Sequence, residues 1–367
     1  YATGYYNSGD GGQGFFVWSA TSTATPDGGS VIAATPVPAT GRWLRIFENG
    51  ELYPQAFGAI PNIATATYDT ELYNALAYSV VSGKRLVLGS GIWYVSGDFT
   101  FNQPNIRILD GARFNRLSTV PISITIIGGD NTIIESHSAL ISNGFTLNTS
   151  GKLEVNPIWW KAPNTPGMSD LIAWRNMAQG NSCPVMLDRD WDLDSVGSLP
   201  QTIDVPKLLI DNTGSVKATA TIATLAISDI DYRARRTTKV FRGDMAAFKL
   251  VASSIPVHVS YWELGDPTTG FTTPQRWVNF LSATTAGLTY NRKYYWDKGT
   301  YSFSNTNFST YNEDIKLASL KAYHTFEPDT QITLDGFGAE TLGFGSIDES
   351  NEFLIFLGIG IPGLYEI

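Results

Sequence analysis

Asp188, Asp190, Asp192 and Asp194 form the most conspicuous row of carboxylates in the chain. On an extended strand, alternate side chains share a face about 6.6–6.8 Å apart. That lies near the roughly 6.5–9.5 Å at which two carboxyl groups act as acid and base in inverting glycoside hydrolysis. Asp188 and Asp190 are therefore the candidate catalytic pair, with Trp191 beside them as a candidate sugar contact. Against that chemistry, Asp188-Arg189-Asp190 occupies the place that Gly89-Ser90-Gly91, a turn, holds in a related earlier segment. The preferred reading is a solvated turn followed by an outward strand face, with Trp191 and Leu193 turned inward. The row carries no calcium-loop signature.

Aromatic side chains concentrate between Tyr261 and Tyr311, among them Trp262, Trp277, Tyr294, Tyr295, Trp296 and Tyr301. Flat rings bring large contact area at low entropy cost, so Tyr295 and Trp296 join Trp191 as candidate carbohydrate-binding residues. Strand cores use the same residue types, and adjacent Tyr294 and Tyr295 must face opposite ways on a strand. His258, between Val257 and Val259, reads as structural, and Glu135 with His137 as a chance pairing. A single cysteine, Cys183, and three scattered histidines argue against a disulfide framework or a metal centre. No metal and no cofactor are expected. Gly9 to Gly14 lacks the preceding strand and following Lys-Ser/Thr that a phosphate-cradling loop requires.

Positioning such residues falls to β structure. Only 16% of the 367 residues are charged, against a typical value of about 25%. Gly (35), Tyr (17), Phe (19) and Trp (10) fill the difference, a composition suited to strands and tight turns. A net charge of −9 argues against a nucleic-acid partner. The longest apolar run, Phe353 to Ile361, is about half the length of a membrane span, so no membrane insertion is expected. The chain opens at Tyr1 without Met or a basic-then-apolar leader, which reads as a processed or excised fragment.

The first fifty-odd residues carry Gly4-Tyr5-Tyr6, a Gly-rich turn, Phe15-Phe16-Val17-Trp18, Asp27-Gly28-Gly29-Ser30-Val31-Ile32 and Gly41-Arg42-Trp43-Leu44-Arg45-Ile46. This series resembles a module of bacteriophage tailspikes and tail fibres that stands before a right-handed β-helix of the pectate-lyase type. The likeness extends through Phe57-Gly58-Ala59, a helix near Asp69 to Ser82, and the first-rung segment Leu86 to Val95. It departs from the family pattern at Ile60-Pro61-Asn62-Ile63, where a Lys-Gly-Asp-Gly segment is usual. The resemblance implies a right-handed parallel coil, a homotrimer, and in many relatives degradation of glycans.

An internal repeat supports the same architecture. Tyr53 to Phe114 recurs, diverged, as Asn156 to Val216, with Pro54 and Phe57-Gly58-Ala59 matching Pro157 and Trp160-Lys161-Ala162. In the first copy Asp69 is the expected N-cap, with Leu72, Ala75, Leu76, Ser79 and Val80 on one face and Gly83 as the stop. In the second, Ser169 or Asp170 caps and Ile172, Trp174 and Met177 turn inward. A helix across the open end of a parallel coil covers strand edges that would otherwise seek partners. At about 20–25 residues per turn, the stretch from Arg85 to Glu154 makes only about three turns, so the coils are short.

The expected fold is mainly β, with two short right-handed parallel β-helix units, each with a capping helix, and then an antiparallel β module. The expected boundaries are 1–52 for the opening module, 53–155 and 156–232 for the two coils, and 233–367 for the antiparallel module. In that last part Val257 to Trp262 and Trp277 to Phe280 read as strands, and the apolar run Phe353 to Leu364 as a buried or intersubunit segment. The expected function is a spike or fibre subunit of the phage tail, extracellular in the virion. It would be a trimeric stalk or receptor-binding arm contacting other tail proteins and bacterial surface polysaccharide. The rival expectation is a depolymerase that cleaves capsule or lipopolysaccharide.

Overall fold

The computed structural model describes the whole chain except residues 103–104, 118, 142–144, 162–169, 194–200, 212–213, 221–222, 234–238, 253, 265–273, 286–292, 305–314, 318–322, 327–329, 336–341, 345–363 and 367. Asp194, Ser169, Tyr311, most of the basic cluster after Tyr232 and the run Phe353 to Pro362 thus lie outside the described residues. The architecture is mainly β, built of short parallel sheets. It forms two compact units, residues 1–168 with 172–184, and residues 169–171 with 185–367.

The first unit opens with strands β1 (Phe15–Ser19), β2 (Val31–Ile32) and β3 (Arg42–Ile46), antiparallel in the order β1-β3-β2. Two carboxylates hold its loops. Asp10 accepts the backbone N–H groups of Tyr5, Tyr6, Asn7 and Gly12. A desolvation cost that would raise its pKa is outweighed by these four bonds, and the pKa falls to about 2. Asp27 likewise accepts from Gly29, Ser30 and Val31. Gly29 has no alternative: a Cβ there would stand 2.2 Å from the Phe57 ring.

Past this module, each pass of the chain adds one strand to each of three parallel sheets. Glu51–Leu52, Arg85–Leu88, Ile106–Ile108 and Ile133–Ile134 form one. Gly91–Val95 and Ala112–Arg116 form the second, and Phe99–Phe101, Ile122–Gly128 and Phe145–Gly151 the third. Parallel neighbours place like residues above one another, so Leu86 stands over Ile106 and Trp93 over Phe114, all at most 1% exposed. Helix α1 (Asp69–Ser82) lies against the turn Pro54–Phe57 and the strand Arg85–Leu88, burying Leu72, Ala75, Leu76 and Ser79. Val80 is 54% exposed, outside the expected face. Asp69 is the first helical residue rather than the cap. Its carboxylate instead accepts N–H bonds from Ser96 and Gly97, joining the helix start to the strand end.

Helix α2 (Asp170–Gly180) buries Leu171, Ala173, Trp174 and Met177, while Ile172 is half-buried. In the second unit the parallel sheets are Val185–Leu187, Leu208–Ile210 and Ile230–Tyr232; Asp190–Asp192, Ser215–Ala218 and Phe241–Gly243; and Gln201–Val205, Ala223–Ile227 and Phe248–Leu250. Parallel pairing continues where an antiparallel module was expected. Val257–His258, Lys293–Trp296 and Tyr323–Phe326 pair parallel, as do Gly299–Ser304 with Thr330–Asp335 and Ile315–Leu317 with Leu342–Phe344. Among the described residues only Leu364–Glu366 departs there, lying antiparallel on Thr330–Asp335. Alternating Val, Thr and aromatic residues suit either direction of pairing, so the pattern did not distinguish them.

Two further segments differ from expectation. Val257 to Trp262 is extended only over Val257–His258 and then turns as a 3-10 helix, Val259–Tyr261. Trp277 to Phe280 belongs to helix α3 (Pro274–Thr285), which buries Phe280, Ala283 and Thr284 at helical spacing. Together they make a third instance of one order: a short strand, a 3-10 turn, a helix, and a strand that pairs back onto the first. It begins at Glu51, where Leu52 pairs with Leu86, at Val155, whose N–H bonds the Pro184 carbonyl, and at Val257, which pairs with Tyr294.

Substitution separates the two faces of α1. We predict that Leu76→Ala costs about 2–5 kcal/mol, and Val80→Ala within about 0.5 kcal/mol. Urea titrations of the two variants, followed by circular dichroism, check this; equal losses would refute the assigned face.

Candidate functional site

Asp190 and Asp192 are drawn into contacts between adjacent passes, and Asp188 pairs with its neighbour in sequence. Asp188 receives Arg189 Nε and Nη2, each at 3.0 Å. Asp190 accepts the Ser215 hydroxyl at 2.6 Å, and Asp192 pairs with Lys217 Nζ at 3.0 Å. The parallel register, Asp190 opposite Ser215 and Asp192 opposite Lys217, produces both pairs. The Asp192 N–H also donates to Asp170 at the start of α2, at 3.1 Å. Trp191 is 2% exposed and Trp296 1% exposed. Neither ring offers a face to a sugar, which corrects their assignment as carbohydrate contacts. Alternation put them inward, as core residues.

Tyr295 differs. On the strand Lys293–Trp296, Tyr294 and Trp296 are buried and Tyr295 is half-buried. Its ring stacks on His258 at 5.0 Å with 15° between planes, and the Tyr232 ring lies 4.6 Å from His258 at a tilt of 59°. Tyr261 adds a third ring at 5.2 Å from His258. His258 Nδ1 lies 2.9 Å from Asp297 Oδ1, and the Ser260 hydroxyl donates to Asp297 Oδ2 at 2.5 Å. Tyr301 donates to the Asp297 carbonyl at 3.0 Å, and Tyr232 to the Pro256 carbonyl at 2.9 Å.

These contacts define the candidate site. Burial of Asp297 would raise its pKa, but hydrogen bonds from His258 and Ser260 outweigh it and hold the carboxyl below its ordinary value. Burial, reinforced by the Asp297 charge, pushes the Tyr301 hydroxyl above its ordinary value. The Asp297 carboxylate holds the His258 ring through Nδ1, a contact of the kind that orients an imidazole. Ser260 bonds Asp297 rather than His258, so the three residues are not a nucleophile–base–carboxylate relay. Elsewhere, Glu135 pairs with Arg107 at 2.8 Å and the His137 N–H donates to Asp110. Cys183 is buried, and burial raises its thiol pKa.

Sequence reasoning named Tyr295 and gave His258 only a packing role; it missed Asp297, Ser260 and Tyr232. The parallel register that sets His258 opposite Tyr295 assembles the group, and no local motif announces it.

Comparison with known proteins bears on the other end of the chain. Residues 1–48 match the family model of the phage tail protein small four-stranded β-sheet domain. The chain thus carries a phage-tail module at its start. The match coincides with the antiparallel β1-β3-β2 sheet and its flanking Ala2–Gly14 bridge. No curated protein matches the chain. Among solved structures it is similar to tailspike protein gp49 of Acinetobacter baumannii bacteriophage Fri1, a capsular polysaccharide depolymerase, at 14% identity and a TM-score of 0.25. The alignment covers 94% of this chain and 60% of that one, so this chain spans less than two thirds of the tailspike's length.

The carboxylate at the centre of the site sets a pH dependence. A depressed folded-state pKa stabilises above the unfolded carboxylate value of about 3.9 and loses that contribution as pH falls through the lower folded value. Asp297→Asn should cost about 2 kcal/mol at pH 7, the scale of hydrogen bonds to a charged group. The gap between wild type and variant should close progressively below about pH 4. Thermal midpoints of both proteins across pH 2–8 measure this, and a gap independent of pH would refute it.

Proposed function

We propose that this chain is a subunit of a bacteriophage tail spike or fibre, a stiff trimeric arm that contacts bacterial surface polysaccharide. The observation that carries the reading is the pass-over-pass parallel pairing in both units of a chain whose first 48 residues match a phage-tail module. Neighbouring passes satisfy each other's backbone groups with few long loops, which suits an arm that transmits position rather than one that bends. In this reading residues 1–52 join the chain to other tail proteins. Coils of the right-handed parallel β-helix kind, begun near residues 53 and 156, form the shaft. The protein belongs to the virion, outside the cell. Tyr295 is the aromatic of the original three that retains exposure for a sugar.

A second reading, a polysaccharide depolymerase, is favoured by one observation: an imidazole held 2.9 Å from a carboxylate, a pairing that general acid–base chemistry uses. The two readings part on one assay. The purified chain, incubated with surface glycan from candidate hosts, should retain polymer without releasing reducing ends or unsaturated uronides. Tyr295→Ala should weaken retention about fivefold, roughly 1 kcal/mol. Product formation abolished by His258→Ala, or by Asp190→Asn, would replace the arm with the enzyme. Absence of both retention and products, across glycans from hosts the phage infects, would remove the receptor-binding part of the proposal.

A further inference from the structure

Between strand β3 and the first strand of the coil, Glu51–Leu52, the chain turns at Asn49-Gly50. Residues 1–48 match the tail module and Glu51 pairs with Arg85, so this dipeptide is the covalent joint between module and coil. Both residues are exposed, and both take left-handed backbone, with φ 56° at Asn49 and 67° at Gly50. Among the described residues, no hydrogen bond reaches the Asn49 side chain or the Gly50 N–H. A Cβ built on Gly50 would meet nothing within 4 Å.

That combination has a chemistry of its own. The Asn49 side-chain carbonyl carbon and the Gly50 backbone nitrogen can close a five-membered ring. A Cβ on the following residue would crowd that nitrogen, and glycine has none. Backbone fixed in a helix or ladder cannot turn the nitrogen onto Cγ, whereas an exposed turn has that freedom. Neighbouring asparagines lack these conditions. Asn62 Oδ1 accepts the Ile92 N–H at 2.9 Å, and Asn74, within α1, donates to the Asp27 carbonyl at 3.1 Å. Each precedes a residue with a side chain, Ile63 or Ala75.

We propose that Asn49 is a site of spontaneous covalent modification, converted to aspartate and isoaspartate at the joint between module and coil. First, the Gly50 nitrogen gives its proton to hydroxide and attacks Asn49 Cγ. The new C–N bond forms, the Cγ–Nδ2 bond breaks, and Nδ2 takes a proton from water and leaves as ammonia. Water then adds to one of the two ring carbonyls and breaks its bond to the Gly50 nitrogen. Opening at Cγ leaves aspartate in an ordinary chain; opening at the backbone carbonyl leaves isoaspartate, with the chain routed through Cβ and Cγ. Either product adds one negative charge to the −9 of the chain, between Glu48 and Glu51. Isoaspartate also inserts a methylene just ahead of Gly50, whose carbonyl accepts the Arg85 N–H at 2.9 Å. The module stays held without that joint through the Asn74 bond to Asp27 and the close fit of Gly29 on Phe57.

Incubation of the whole folded chain at pH 6 and pH 9, followed by tryptic digestion and mass mapping, tests the assignment. The peptide Ile46–Lys84 should become one mass unit heavier with time, faster at pH 9, and should become a substrate for an isoaspartyl methyltransferase. Fragment spectra should place the change at Asn49, with Asn62 and Asn74 in the same peptide unaltered. Asn49→Gly, which accepts the same left-handed backbone, should abolish the shift and leave circular dichroism unchanged. The chain's other Asn-Gly pair, Asn143-Gly144, lies in the separate peptide Leu117–Lys152 and does not enter the reading. Should the variant fail to fold, the wild-type map decides alone. An Ile46–Lys84 segment that stays unchanged in the folded chain while the same peptide, free in solution, converts fully overturns the proposal. So does a shift that maps to Asn62 or Asn74.

Discussion

Parallel pairing between successive passes of the chain is the constraint on which everything else depends. Each backbone N–H and C=O within a sheet is satisfied by the pass before or after it, and each inward side chain rests on its counterpart one pass away. Leu86 on Ile106 and Trp93 on Phe114 show this in the first unit; Leu208 on Ile230 and Val216 on Phe241 show it in the second. Outward positions obey the same register. Asp190 with Ser215, Asp192 with Lys217 and His258 with Tyr295 are all products of the parallel register between passes rather than of local sequence.

Such an arrangement must begin somewhere, and a starting edge of unpaired strand is a liability. The chain meets it with a recurring device: a short strand, a 3-10 turn and a helix. In the first unit, α1 turns Leu72, Ala75 and Leu76 inward, and Asp69 ties its first turn to Ser96 and Gly97. In the second unit α3 lies against Met245–Ala247 and Phe248–Leu250, with Phe280 packed on Trp262 and Tyr294. Polar contacts finish the fit: Asn279 to Asp244 at 2.8 Å and Thr284 to the Tyr294 hydroxyl at 2.9 Å.

Much of this was legible in residue types. Pro54 with Phe57-Gly58-Ala59, and Pro157 with Trp160, marked two of the starts, because proline sets the first turn and a large ring follows into the core. The third start was hidden: Val259-Ser260-Tyr261 has neither proline nor glycine, and Trp277-Val278-Asn279-Phe280 taken as four residues favours a strand. Only the longer spacing of Phe280, Ala283 and Thr284 discloses a helix. The His258–Asp297 contact was out of reach for a different reason. Its members are 39 residues apart, and nothing near either one indicates that a helix and a connecting segment return the chain to the same place.

Because the starting device recurs at Glu51, Val155 and Val257, a later start can also serve as the lid of the passes before it. Helix α3 lies against Met245–Ala247 and Phe248–Leu250, and the Tyr261 carbonyl accepts the Val240 N–H, all on residues that precede Val257. A cut just ahead of Val257 would therefore bare Phe241 and Phe248, whose rings rest on Trp262, instead of leaving a finished layer.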